Sequence, residues 1–184
     1  MKTVVVVLAE GFEETEAVLP IDLLRRAGVQ VRLAGLTAAP VKGARGISVL
    51  PDVVLDAMTD DFDALMLPGG IPGANNLRDS AVLDRVLAQA FAHDALVCAI
   101  CASAAVVLGS KGYLKGRRFT CYPGYEREVL DGHFSADAVV RDGQIITSRG
   151  VGTAAAFAFA MLCALGLEAH AKEVFAQTLL PVPA

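Results

Sequence analysis

In the run Leu96-Val-Cys-Ala-Ile-Cys-Ala-Ser-Ala-Ala-Val-Val-Leu108, a strand-like apolar segment passes directly into a helix-like one, with Cys101 at the junction. Ala99, Ala102 and Ser103 surround it with small side chains. This is the logic of a nucleophile elbow, where small neighbours permit a tight strand-to-helix turn that presents one reactive group. Unpaired N–H groups at a helix start favour the thiolate, the nucleophilic form of cysteine. The same residues also suit a buried free cysteine acting as a small apolar side chain, and the local pattern leaves both readings open.

Cys98 and Cys101 form a CxxC. On one extended strand their Cα atoms would stand about 10 Å apart, too far for a disulfide. A zinc site lacks a second CxxC or HxxxH, and Cys121 and Cys163 stand alone, so no metal site is expected. Cys98 and Cys163 read as core thiols.

Two further segments could serve Cys101. Pro68-Gly69-Gly70 follows a strand-like run and is either an ordinary turn or a place where backbone N–H groups meet a developing oxyanion. Glu10, Glu13, Glu14 and Glu16 crowd the start of a helical pattern, where negative charge is favourable. One of them held inward beside Cys101 would have a raised pKa and could exchange a proton with the thiol or a substrate. Gly150-Val-Gly-Thr-Ala-Ala155 fits a dinucleotide fingerprint, but no further βαβ unit follows, so a helix cap is the better reading. His93, His133 and His170 fall at helix surfaces or in a loop and are expected to face solvent.

The elements that must position these residues follow from periodicity. Val4 to Leu8 reads as a parallel strand buried on both faces. A helix is predicted from about Glu13 to Ala27, kinked at Pro20 and stopped at Gly28, and a strand over Val29 to Ala34 completes a βαβ unit. Val41 to Leu50 reads as a short strand pair or irregular excursion ending at Pro51, and Ala64 to Leu67 as a strand. A helix from about Ser80 to His93, a strand over Leu96 to Ile100 and a short helix over Ala102 to Leu108 come next. Asp142-Gly143 joins a hairpin of Ala138–Arg141 and Gln144–Thr147. Thr153 is expected to cap an Ala-rich helix to Leu165, before a last helix over Glu168 to Gln177. The sum is an α/β sandwich with a mostly parallel central sheet and an added hairpin, one domain over 1–184.

Composition narrows the function classes. The 184 residues are 54% hydrophobic and 20% charged, which excludes disorder and a small disulfide scaffold. A net charge of −4 with no charge runs gives no footprint for nucleic acid or anionic membrane. The apolar stretch Ala154 to Leu167 falls short of the roughly 20 residues of a membrane span. Acidic residues directly after Ala9, with no cleavage site, oppose a signal peptide. Reduced cysteines in the cytoplasm are therefore expected.

Taken in order, Glu10-Gly-Phe-Glu-Glu-Thr-Glu-Ala17, Asp22-Leu-Leu-Arg-Arg-Ala-Gly28, Leu67-Pro-Gly-Gly70, Ala99-Ile-Cys-Ala102 and Thr147-Ser-Arg-Gly-Val-Gly-Thr153 resemble the ThiJ/PfpI family, in the branch of the parkinsonism-associated protein deglycase and its bacterial relatives. The resemblance implies a flavodoxin-like three-layer sandwich, a homodimer and a site without cofactor or metal. It implies Cys101 as nucleophile, Glu16 as its hydrogen-bonding partner and Gly70 and Ala102 as oxyanion donors. Gly69, Arg45 and Tyr122 would lie against the substrate. Some members carry a histidine near the cysteine. Here Ala102 and Tyr122 hold those places, which opposes a Cys-His triad. The expected activity is a glyoxalase or deglycase reaction on methylglyoxal or its early adducts, taking small reactive carbonyls or glycated groups. The alternatives are a stress protein or chaperone switched by oxidation of Cys101, and a dimeric scaffold without catalysis.

Overall fold

A computed structural model describes residues 1–58 and 61–183. Strands β1 (Thr3–Leu8), β2 (Gln30–Gly35), β5 (Val53–Val54), β6 (Ala64–Leu67), β7 (Leu96–Ile100), β10 (Val139–Asp142) and β11 (Ile145–Ser148) form one sheet in the order β10-β11-β7-β6-β1-β2-β5. All pairings are parallel except β10 with β11, the hairpin expected around Asp142-Gly143. Val5, Leu65, Val97 and Ile145 lie in one register row across four parallel strands.

Both faces of this sheet are covered, which is why its strands read as unbroken apolar runs. Side chains alternate across a strand, so β1 sends Val4, Val6 and Leu8 to one face and Val5 and Val7 to the other. The first face packs on α1 (Glu14–Arg26), α4 (Ala154–Ala164) and α5 (Glu168–Thr178) through Leu24, Phe157, Met161 and Phe175. The second packs on α2 (Gly73–Arg78) and α3 (Ala81–Ala92) through Leu77, Leu83 and Leu87. Burying a Leu or Phe side chain in such layers contributes about 1.5–3 kcal/mol.

Local details refine this picture. Helix α1 runs continuously through Pro20, which cannot donate to the Glu16 carbonyl four residues earlier. Gly28 ends it in the left-handed region, at φ +78°. The turn-rich stretch after Gly70 contains the short helix α2, and β5 extends the sheet beyond Pro51. Val41 to Leu50 is a small antiparallel pair, β3 (Val41–Lys42) with β4 (Ser48–Val49). A second small pair, β8 (Arg118–Phe119) with β9 (His133–Phe134), is parallel. After Cys101 the chain winds through Ala104–Gly109 as a π-helix, with the Ser110 N–H donating to the Ala105 carbonyl at 3.1 Å.

Strand order reverses beside β1, because the chain first builds outward through β2 and later on the opposite side through β6, β7 and β11. Open α/β sheets place their ligand sites in the crevice outside the carboxyl ends of strands at such a switch point. The segments leaving β1, β6 and β7 there carry Glu16, Gly69-Gly70 and Cys101.

Candidate active site

Cys101 follows β7 directly and adopts φ +63°, a left-handed conformation that non-glycine residues rarely take. Such a residue costs about 1–2 kcal/mol and persists only where its surroundings fix it. They do so here. The Cys101 N–H donates to the Ser148 carbonyl at 2.9 Å, and the Cys101 carbonyl accepts from the Tyr122 N–H at 3.3 Å. Ser103 donates its hydroxyl to the Pro68 carbonyl at 2.6 Å, tying the elbow to the β6 exit loop.

That loop approaches so closely that only glycine fits. A Cβ on Gly69 would stand 2.5 Å from both Cys101 Cβ and Glu16 Oε2. Gly70 has φ +89°, and a Cβ there would stand 2.4 Å from the Glu13 nitrogen. The Gly70 and Ala102 N–H groups both point at the Cys101 sulfur. Donors so placed would also hold an oxyanion formed beside that sulfur.

Glu16 comes from the first turn of α1, which Glu13 caps by accepting the Glu16 N–H at 2.8 Å. Its side chain is buried, accepts the Gly69 N–H at 3.0 Å and hydrogen-bonds the Cys101 thiol. Burial raises its pKa to about 7. The hydrogen bond with Cys101 opposes this, the Glu13 charge adds to it, and the Gly69 and Val151 N–H groups oppose it. The expectation of one inward glutamate with a raised pKa is met, and the residue is Glu16.

The N–H groups at the helix start favour the thiolate, as expected, but they do not act alone. Burial pushes Cys101 up to about 12, and the negative charge and hydrogen bond of Glu16 push in the same direction. The N–H groups of Ala102 and Gly70 pull it down without prevailing. Desolvation beside a like charge outweighs the helix start. Once Glu16 is protonated, however, its charge no longer opposes ionisation and its O–H can donate to sulfur. The two groups titrate as a coupled pair.

Cys101, Glu16, Gly70, Ala102, Arg45 and Tyr122 line one cavity of about 610 Å³, a size suited to a small molecule. Gly69 is wedged behind it between Cys101 and Glu16. The same cavity is lined by Glu13, Arg149 and the 150–153 loop, to which the sequence reading gave no role at a site. Arg149 lies within a motif already singled out, and its position just after β11 at the carboxyl edge of the sheet was the available signal. Thr153 does not cap α4 with its side chain. Its hydroxyl instead accepts the Arg149 and Gly150 N–H groups at 3.2 and 3.1 Å and pairs with Ser148 Oγ at 2.7 Å, closing the loop that carries the Val151 N–H.

The remaining chemistry-bearing residues lie elsewhere. Cys98 and Cys121 are fully buried, and burial raises both thiols. Cys163 is partly buried on α4, so it lies beside the core rather than within it. His93, His133 and His170 are exposed, as expected. Among the described residues no three His, Cys, Asp or Glu side chains gather as a metal site.

The model of the DJ-1/PfpI family matches residues 2–164. Protein dj-1beta of Drosophila melanogaster is 38% identical over 94% of this chain and 94% of its own length. The glutathione-independent glyoxalase DJR-1.2 of Caenorhabditis elegans is 36% identical over 81% of this chain and 80% of its own. The solved structure of oxidized Toxoplasma gondii DJ-1 superposes with a TM-score of 0.94 at 36% identity, covering 98% of this chain and 99% of that one. A family model matched over residues 2–164, a relative 38% identical over nearly its whole length and a shared fold lead to one conclusion: this chain belongs to the DJ-1/PfpI family.

Proposed function

We propose that the chain is a cofactor-independent glyoxalase or deglycase that uses Cys101 against methylglyoxal or its early adducts, in protection from carbonyl and oxidative stress. The observation that carries this reading is the contact between Cys101 and Glu16 inside the cavity, with two backbone N–H groups aimed at the sulfur. A relative named as a glutathione-independent glyoxalase supports the reaction class.

The Cys101 thiol gives its proton to the Glu16 carboxylate, and the sulfur bonds to the aldehyde carbon. The carbonyl oxygen receives the electron pair against the Gly70 and Ala102 N–H groups and takes the proton back from Glu16, giving a hemithioacetal and a free Glu16 carboxylate. Glu16, with a pKa near the working pH, takes the proton from the former aldehyde carbon as the electron pair passes to the ketone oxygen, then returns it to the former ketone carbon, while the hemithioacetal hydroxyl proton passes to that oxygen and a thioester carbonyl forms. The resulting thioester of lactate is hydrolysed by water, freeing Cys101. Methylglyoxal plus water thereby becomes lactate, with no external oxidant or reductant. Arg45 and Arg149 flank the cavity and can orient the oxygens of a dicarbonyl.

A second reading has support from the same donors. Oxidation of Cys101 to a sulfinate would place new oxygens against the Gly70 and Ala102 N–H groups, making the site a redox sensor. A homodimer fits the exposed apolar side chains Val18, Ile47, Leu50 and Val151. No helix among the described residues is long and apolar enough to cross a membrane, and a cytoplasmic site of action fits four unpaired cysteines. The deciding assay follows methylglyoxal loss and lactate formation for the wild type beside Cys101→Ser and Glu16→Gln. Full turnover by Cys101→Ser would defeat the catalytic reading.

A further inference from the structure

Glu14 stands next to the capping residue of α1, and its side chain reaches beyond the helix. It is buried, with 4% of its surface exposed, and its Oε1 accepts the Arg45 N–H at 2.6 Å and the Ile47 N–H at 3.2 Å. Both donors belong to the turn between β3 and β4. Gly43 lets that turn close over the carboxylate, since a Cβ there would stand 2.4 Å from Glu14 Cδ. The turn is also closed on itself by the Gly43 N–H donating to the Ile47 carbonyl at 2.8 Å, and tied to the β1 exit by the Ala44 N–H donating to the Phe12 carbonyl at 2.8 Å.

This carboxylate is held charged and in one place, although one of its oxygens is left without a partner. Glu14 Oε2 is buried with no hydrogen-bond partner, an arrangement that costs free energy. Burial works against its charge, yet the backbone N–H groups, including those of Arg45 and Ile47, and the Arg45 charge hold its pKa below the ordinary carboxylate value. The residue whose backbone it grips is Arg45, which lines the cavity that also holds Cys101.

We propose that Glu14 is a positioning residue that presents Arg45 to the site, so that the cavity favours carbonyl compounds bearing an anionic group or a second oxygen for the guanidinium to hold. The inference deepens the carbonyl reading of this site but is tested without it. The probe is alkylation of Cys101 by iodoacetate and by iodoacetamide, in which sulfur bonds to the CH2 carbon as iodide leaves. The ratio of the two rates cancels the fraction of thiolate and reports only how the site treats a carboxylate. Removing a nearby negative charge should by itself raise that ratio. Presentation of Arg45 by Glu14 requires the opposite sign.

In Glu14→Ala and in Arg45→Ala the iodoacetate-to-iodoacetamide ratio should fall about threefold to tenfold. The double variant should fall no further, and Glu14→Gln, which keeps the accepting oxygen, should stay within twofold of wild type. Should Glu14→Ala fail to fold, Gly43→Ala displaces the same contact with both residues kept and should lower the ratio alike. A ratio that rises or is unchanged in the folded Glu14 or Gly43 variant overturns the proposal, as does a double variant whose loss is the product of the two single losses. An unchanged ratio in Arg45→Ala overturns it too. Wild-type failure to consume methylglyoxal, with the ratios as expected, would sink the proposed reaction and leave the role of Glu14 standing.

Discussion

Gly69→Ala isolates the close approach on which the site depends. The new Cβ would stand 2.5 Å from Cys101 Cβ, 2.5 Å from Glu16 Oε2 and 3.0 Å from the Ile100 carbonyl oxygen, whereas ordinary contact begins near 3.4 Å. Something must therefore move by about 1 Å. The Ile100 carbonyl belongs to β7 in the middle of the sheet, so the groups that yield are the thiol and the carboxylate. A misplacement of about 1 Å at a reacting centre reduces turnover on the order of 100-fold. Overpacking of this kind destabilises by about 1–3 kcal/mol, which in a chain of this size lowers Tm by about 2–4 °C for each kcal/mol. Gly69 does not occupy the left-handed region, so backbone strain does not enter. The assay compares kcat for methylglyoxal at 25 °C with Tm measured on the same preparations. A variant that is folded at 25 °C and about 100-fold slower fits the account. A variant within twofold of wild type in kcat would show that the contact between Gly69 and the Cys101–Glu16 pair does not shape the chemistry.

Glu16→Gln should change the pH dependence of stability. A carboxyl group whose folded pKa is raised to about 7 from 4.5 binds its proton more tightly in the folded state. That stabilisation is complete below about pH 4.5 and is lost as pH rises through 7, a change of about 3 kcal/mol. Denaturant midpoints at pH 5 and pH 8 should show the wild type losing stability relative to Glu16→Gln by roughly that amount, and an equal difference at both pH values would contradict a buried, protonated Glu16. Mild peroxide followed by peptide mass spectrometry tests the redox reading: Cys101, which lines the cavity, should oxidise before fully buried Cys98 and Cys121. Equal oxidation of all four thiols would count against it.

How much was legible in the sequence depended on whether an element's reason for existing is local. Val4 to Leu8 and Leu96 to Ile100 announce themselves because strands covered on both faces need apolar residues at every position. The strands Val53–Val54, Arg118–Phe119 and His133–Phe134 are two residues long and carry no period to read. The elbow at Cys101 was legible because the small side chains it needs are its own neighbours in sequence. Its ionisation was not, because the burial and the Glu16 charge that raise it come from other segments.

The glutamate cluster makes the same point. A single rule, negative charge at a helix start, described four residues that the fold uses in four ways. Glu10 accepts the Lys42 N–H, Glu13 caps α1, Glu14 grips the turn of Arg45 and Glu16 meets Cys101. Only the family motif separated Glu16 from its neighbours beforehand, and nothing local pointed to Glu14. Thr153 was placed correctly at the start of α4, but its hydroxyl turns back to Ser148, Arg149 and Gly150, a choice set by the loop rather than by the helix.

The central claim is that the Cys101 sulfur forms the bond to the carbonyl carbon. Lactate formed from methylglyoxal, followed by NMR for the wild type and for Cys101→Ser at equal concentrations of folded protein, tests it most directly. One lactate should form for each methylglyoxal consumed by the wild type, and the rate for Cys101→Ser should not rise above the buffer background. Lactate formation by Cys101→Ser at the wild-type rate would contradict it.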